Sequence, residues 1–243
     1  MNIVIDQGNT RTKTGIFLGD DLKDVRKFEH FGINELNTLF KNFPGINNAI
    51  LSSVRDTDKE VRDYLQKNSK KYIEQKANTL TPVKNCYNTA DTLGKDRIAA
   101  VTGAYNIFPN ENVLVIDLGT AITFEFINNK AEYLGGNISP GVNIRFKALN
   151  KYTKNLPLLS AKDKFDLIAN TTNNAIISGV LNGVLFEIES YICKIEKNYL
   201  NLKIILTGGD SFLFDKKLKS TIFVNSNLVL IGLNTILEYN LTN

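Results

Sequence analysis

The sequence predicts an α/β protein built twice: two halves, each a mixed sheet covered by helices, with a ligand cleft between them. Two observations carry this expectation. First, Asn2-Ile3-Val4-Ile5 stops at Asp6, turns through Gln7-Gly8-Asn9-Thr10 and leaves from Lys13 to Leu18; Asn112 to Ile116 then stops at Asp117, turns on Leu118-Gly119-Thr120 and leaves from Ala121 to Ile127. Each stretch reads as a β-hairpin with glycine in the turn and small hydroxyl side chains beside it. Second, each hairpin is followed by a third short strand, after which helical and strand spacing alternate.

In the first half the third strand is expected around Val25 to Phe28. Ile33, Leu36, Leu39, Phe40 and Phe43 fall at helical spacing, Ala49 to Val54 reads as a buried strand, and Thr57-Asp58-Lys59-Glu60 has the form of a capping box opening a helix through Lys67. Thr81-Pro82-Val83 is expected to be a strand, Asn88 to Lys95 a loop, and Ile98 to Tyr105 a helix rich in small residues. Phe108-Pro109-Asn110-Glu111-Asn112 is the best linker, so the domains are expected at 1–111 and 112–243.

In the second half a strand is expected from Ala131 to Leu134, then a glycine-rich loop, Gly135 to Gly141, before a helix at Asn143 to Leu149. A long helix begins at Thr172, with Ala175, Ile176, Gly179, Val180, Gly183, Val184 and Ile188 expected on its buried side. Its small residues would let another helix approach closely, within the chain or across a dimer. Lys203 to Thr207 is a strand, and Leu228 to Tyr239 an apolar-faced helix.

Composition narrows the function classes. With 43% hydrophobic and 22% charged residues over 243 positions, the chain has the make-up of a soluble globular protein able to bury a sizeable core. No uninterrupted apolar run reaches the roughly 18 residues expected of a membrane span. Met1 to Val4 enters a strand directly, so no signal peptide is expected. Cys86 and Cys193 lie far apart and outside any metal-ligand spacing, as expected of reduced thiols in the cytoplasm. A net charge of +4, with 29 basic residues dispersed along the chain, suits a small anionic substrate better than nucleic acid. The single histidine, His30, leaves a histidine triad or zinc site without support.

General-base duty therefore falls to a carboxylate. Asp6 and Asp117 each end a strand beside exposed N–H and O–H donors, an arrangement suited to phosphate chelated to a metal ion. Asp6 is the first candidate for Mg²⁺, directly or through water, with Asn9 and Thr10 donating to phosphate oxygens and Thr120 doing the same on the second hairpin. Lys13 reads either as a phosphate-neutralising charge or as an exposed strand lysine. Gly94-Lys95-Asp96-Arg97 sets an acid and a guanidinium together at a helix start. Asp96 there is either an ordinary first-turn acid stabilised by the helix dipole or a general base, with Arg97 contacting an anionic acceptor and Lys95 solvated. Leu206-Thr207-Gly208-Gly209-Asp210 is a strand followed by two glycines that admit a flat ligand. Neither a P-loop nor a dinucleotide-binding glycine pattern is present.

Taken in order, five stretches resemble the type III pantothenate kinases of the acetate and sugar kinase, heat-shock ATPase and actin superfamily. They are Asp6 to Thr10, Gly94 to Arg97, Asp117 to Thr123, Gly135 to Gly141 and Leu206 to Asp210. The resemblance implies duplicated ribonuclease H-like domains of the actin-like ATPase type. It implies transfer of the ATP γ-phosphoryl group to the primary hydroxyl of pantothenate, the first step of coenzyme A synthesis. It further implies an ATP-phosphate segment of Asp6, Gln7, Gly8, Asn9, Thr10, Arg11, Thr12 and Lys13 facing Thr120, and Asp96 as proton acceptor. Pantothenate contacts would come from Tyr87, Gly94, Lys95, Asp96, Arg97 and Thr172. Mg²⁺ and a monovalent cation, K⁺ or NH₄⁺, would be required, the latter at Asp117, in a cytoplasmic homodimer. The alternatives are another small-molecule kinase of the superfamily and a nucleotide-binding regulator that transfers nothing.

Overall fold

The computed structural model describes residues 1–242 and comprises two compact units. The first contains Met1–Pro109 with Ala131–Tyr133 and Asn227–Asn243; the second contains Asn110–Lys130 and Leu134–Ser226.

In the first unit, β1 (Asn2–Gln7), β2 (Thr12–Leu18) and β3 (Asp21–Phe28) form an antiparallel meander. Helix α1 (Ile33–Asn42) leads to β4 (Asn48–Ser53), which pairs parallel to β1, and α2 (Lys59–Asn68) leads to β5 (Lys71–Glu74), parallel to β4. The sheet order is β3-β2-β1-β4-β5. The period-2 alternation of strand side chains sends Ile3, Ile5, Ala49 and Leu51 to one face, where Leu36, Leu39, Val61 and Leu65 of α1 and α2 cover them. Val4 and Ile50 point to the other. The two-residue β6 (Lys84–Asn85) pairs with Glu132 and Tyr133, and α3 (Lys95–Ile107) follows.

The second unit repeats the plan. β7 (Val113–Leu118) and β8 (Ala121–Ile127) are antiparallel, β9 (Glu132–Pro140) lies next to β8, and α4 (Val142–Tyr152) and α5 (Thr172–Glu196) precede β10 (Lys203–Thr207) and β11 (Phe223–Val224). β10 is parallel to both β7 and β11, so the order β9-β8-β7-β10-β11 follows that of the first sheet, with the short β6 added beyond β9 as a sixth strand. Leu114, Ile116, Phe124, Phe146, Val180, Val184 and Ile188 lie in its core. By length and composition α5 is the one helix among the described residues that resembles a membrane span, although no uninterrupted run predicts it; eight of its residues, Ile188 among them, are buried within the protein.

Several local expectations are corrected. Gly135 to Pro140 is strand rather than loop, because its glycines let β9 lie close on β8: a Cβ on Gly136 would stand 1.8 Å from the Phe124 carbonyl oxygen. Thr81 to Val83 lies outside the strands, and the unexpected β5 forms the sheet edge instead. Asp58, not Thr57, is the N-cap of α2; the Thr57 hydroxyl donates to Gln7 Oε1. On α5, Ile176, Val180, Val184 and Ile188 are buried as expected, but Ala175 and Gly179 are exposed.

The last helix, α6 (Leu228–Thr242), belongs with the first unit, whereas a division at 111/112 assigns it to the second. Leu230, Leu233, Ile236 and Leu237 pack with Val4, Phe17, Ile50 and Ala99, closing the sheet face that α1 and α2 leave open. The crossing of α3 and α6 is made by glycines: a Cβ on Gly232 would lie 1.7 Å from the Ala99 carbonyl oxygen, and one on Gly103 would lie 2.5 Å from that of Leu228.

Candidate active site

At the end of β1, Asp6 is paired in register with Lys13 of β2 on one side and Ser52 of β4 on the other. Register partners point to the same face, so these three polar side chains form a row above the apolar row of Val4 and Ile50. Burial pushes the Asp6 carboxyl up to about 7; the charge of Asp96 adds to the rise and Lys13 opposes it. The turn closes with the Gly8 N–H donating to the Arg11 carbonyl at 3.0 Å, leaving Asn9, Thr10 and Arg11 exposed. Gln7 and Thr12 are buried supports. Gln7 Oε1 accepts from Thr57 Oγ1, and Thr12 Oγ1 accepts from Arg55 Nη2 at 3.2 Å. Arg11 reaches Glu29 at 3.7 Å on the surface.

The second element of the site in this unit is the start of α3. Gly94 is its N-cap, and a Cβ there would stand 2.6 Å from Asp96 Oδ1, so glycine leaves room for the carboxylate to fold back. That same oxygen accepts from the Arg97 N–H at 2.8 Å, a first-turn amide that also donates to the Gly94 carbonyl at 3.1 Å. Arg97 is buried, its guanidinium carbon 5.5 Å from the centroid of the Tyr87 ring. Lys95 is not solvated as expected from its charge; its Nζ donates to the Ser53 carbonyl at 3.1 Å. An open cleft of about 550 Å³ runs between residues 53–56 and 93–95.

In the second unit, Asp117 occupies the position on β7 that Asp6 has on β1, paired with Thr123 of β8 and Thr207 of β10. The Gly119 N–H donates to the Ala121 carbonyl at 3.1 Å, and Thr120 is exposed at the tip. Gly141 packs onto this turn so closely that a Cβ would lie 2.3 Å from the Thr120 carbonyl oxygen. Gly208 adopts φ +90° against Asp117 and Leu118, and the Asp210 N–H donates to the Leu118 carbonyl at 2.9 Å. Burial raises the Asp210 carboxyl above its ordinary value. Thr172 is exposed in the first turn of α5, behind the N-cap Thr171.

The structure thus gathers Asp6 to Lys13 with Asp96, and Arg97 with Tyr87, in one unit; it gathers Asp117, Thr120 and Gly208 in the other. Sequence reasoning missed Ser52, Arg55 and Gln75, which carry no motif and act only through the fold, and read Thr57 only as part of a capping box. Among the described residues no group of three or more His, Cys, Asp or Glu could hold a metal. The donor set nonetheless fits Mg²⁺, which typically takes one or two carboxylates and completes its shell with phosphate and water oxygens. Asp6 is a desolvated carboxyl, and the neighbouring Ser52 hydroxyl is buried without a hydrogen-bond partner.

The sequence profile of the type III pantothenate kinases matches residues 2–194. The chain belongs to the type III pantothenate kinase family. A type III pantothenate kinase from Christiangramia forsetii is 44% identical to it over 243 residues, covering all of both chains. One from Phocaeicola vulgatus is 44% identical over 240 residues, covering 99% of each. Among solved structures, MreB 5 of Spiroplasma citri bound to AMPPNP superposes with a TM-score of 0.50 at 12% identity, covering 99% of this chain and 96% of that one. The fold of this type III pantothenate kinase family member is accordingly the actin-like one, with duplicated ribonuclease H-like domains.

Proposed function

We propose that this chain transfers the γ-phosphoryl group of ATP to the primary hydroxyl of pantothenate, forming 4'-phosphopantothenate and opening coenzyme A synthesis. The observation that carries the residue assignment is the anchoring of the turn that holds Asp96: the adjacent Lys95 Nζ reaches the carbonyl of Ser53, which is in register with Gln7 at the end of β1, one residue from Asp6. Phosphoryl transfer needs little covalent help from the protein, so positioning and charge neutralisation do most of the work. Backbone and side-chain donors of the exposed turn, Asn9 to Arg11, together with Lys13 and Thr120, bind the phosphates, with Gly8 and Thr12 shaping the turn from behind. Asp96 accepts the proton of the attacking hydroxyl as its oxygen bonds to the γ-phosphorus and the bond to the β-phosphate oxygen breaks, releasing ADP.

Mg²⁺ held at Asp6 neutralises phosphate charge when bound, and Asp117 is the residue for a monovalent cation, K⁺ or NH₄⁺. Arg97, its guanidinium over the Tyr87 ring, is suited to the carboxylate of pantothenate, with Gly94 and Thr172 as further contacts, whereas the Lys95 ammonium is engaged by the Ser53 carbonyl. We assign the enzyme to the cytoplasm as a homodimer; the exposed Gly179 and Phe186 on α5 support a packed partner there.

The test is ADP release with ATP and Mg²⁺, with and without pantothenate, in K⁺ and in Na⁺ buffer. Release that requires pantothenate and K⁺ together is expected. Asp96→Asn is expected to bind ATP within a few-fold of the parent and to lose about 10²–10⁴ in turnover; near-normal turnover overturns the assignment of the base.

A further inference from the structure

Gln75 follows β5 directly and is 1% exposed. Its backbone N–H donates to the Leu51 carbonyl at 2.8 Å, carrying the β4–β5 ladder one step further. Its side-chain Nε2 donates to the carbonyl oxygen of Lys95, the first residue of α3, at 3.2 Å. A carbonyl can only accept, so the orientation of the Gln75 amide is fixed: Nε2 faces α3. Its other half, Oε1, is buried without a hydrogen-bond partner.

Lys95 answers in the opposite direction. Its Nζ donates to the Ser53 carbonyl, the last residue of β4, at 3.1 Å. The first turn of α3 is therefore tied to the ends of two neighbouring strands by two side-chain-to-carbonyl bonds, both converging on the residue beside Asp96. The rest of α3 is held by apolar packing through Ala99, one turn further on.

We propose that Gln75 and Lys95 are positioning residues that hold Asp96 beside the β1–β2 hairpin for phosphoryl transfer. The proposal rests on the reading of Asp96 as the proton acceptor. A stabilising role alone does not account for Gln75. One neutral hydrogen bond contributes modestly to a fold, whereas a buried acceptor without a partner costs at least as much. An apolar side chain of similar length would fill the same space without that cost. What such a chain cannot do is bind the Lys95 carbonyl.

The experiment compares Gln75→Met and Lys95→Met with the parent and with Asp96→Asn, reading melting temperature, steady-state constants and amide exchange of the segment 94–99. For Gln75→Met the expected result is an unchanged or raised melting temperature with faster exchange in that segment. Turnover falls by about 10- to 100-fold while the KM for ATP stays within about two-fold, the pattern of a misplaced reacting group. Lys95→Met is expected to give the same kinetic split, and the double variant to lose little more than the worse single one, because both act on one turn. Faster exchange with parental turnover overturns the proposal, as does unchanged exchange in both variants. A melting temperature that falls in step with turnover overturns it in favour of a structural role. A rise in the KM for pantothenate alone in Lys95→Met overturns it for that residue and makes Lys95 a substrate contact. If Asp96→Asn itself retains turnover, the base assignment has failed, while the exchange measurement still reports whether Gln75 and Lys95 hold the turn.

Discussion

Gly208 lies against Asp117 so closely that a Cβ on it would stand 2.5 Å from Oδ1 of that aspartate, and as close to the backbone of Leu118. The glycine also adopts φ +90°, a conformation that L side chains rarely take. Gly208→Ala is therefore expected to destabilise the protein by at least about 1–3 kcal/mol, since backbone strain and overlap act together. Urea denaturation checks the stability. If Asp117 holds the monovalent cation, the K⁺ concentration for half-maximal activity rises in the same variant, measured under conditions where it remains folded.

The Asp6 carboxyl gives a pH dependence whose sign is fixed. Its value in the folded protein, about 7, lies above the ordinary 3.8 of the unfolded chain. Between those two values the folded state binds the extra proton. Its contribution is fully present below about pH 4 and is lost as pH rises through 7, a change of up to about 4 kcal/mol. Asp6→Asn removes this slope, so its stability relative to the parent, in the absence of nucleotide and metal, grows from pH 5 to pH 8. Melting temperatures across that range test it; parallel curves for the two proteins refute it.

Arg97 sits over the Tyr87 ring as a flat, delocalised cation, and lysine offers neither the plane nor the fork of donors. Arg97→Lys is expected to raise the KM for pantothenate by about ten-fold or more, each 1.4 kcal/mol of lost contact being worth a factor of ten. The KM for ATP should move much less. Initial rates with each substrate varied in turn decide the matter, and equal effects on both constants would remove Arg97 from the acceptor site.

Two glycines in helices should respond oppositely to alanine. A Cβ on Gly232 meets the Ala99 carbonyl oxygen at 1.7 Å, so Gly232→Ala must force α3 and α6 apart and is expected to cost about 3 kcal/mol or more. A Cβ on Gly179 meets nothing within 4 Å. In a monomer Gly179→Ala should stabilise α5 by about 0.5–1 kcal/mol through helix propensity. If that face of α5 is the dimer contact, the same change weakens dimerisation, which sedimentation at several concentrations would detect.

These residues also show where sequence reading succeeds and where it stops. Asp6 and Asp117 are legible because a strand that ends in aspartate and turns on glycine announces both its pairing and its exposed tip, and the structure pairs Asp6 with Lys13 accordingly. On α5 the stripe Ile176, Val180, Val184, Ile188 is legible, but Ala175 and Gly179 lie one residue behind it, about 100° round the helix, and small size alone does not say which side they face. β5 escapes because its two half-buried apolar residues, Tyr72 and Ile73, stand between the charges of Lys71 and Glu74, so a short sheet edge mimics a surface run. Gln75 escapes with it, having no motif and a role that exists only once Lys95 is beside it.

The return of α6 to the first unit has a consequence for how the protein is made. The ribosome delivers β1 to α3 early, but the helix that covers Val4, Ile50 and Ala99 emerges only after the whole second unit. During that interval the nascent first unit carries an uncovered apolar face, the kind of surface that chaperones bind and that aggregates when left alone. The second unit has no such debt to the end of the chain and can close while still tethered. Synthesis therefore runs opposite to completion: the unit begun first is finished last.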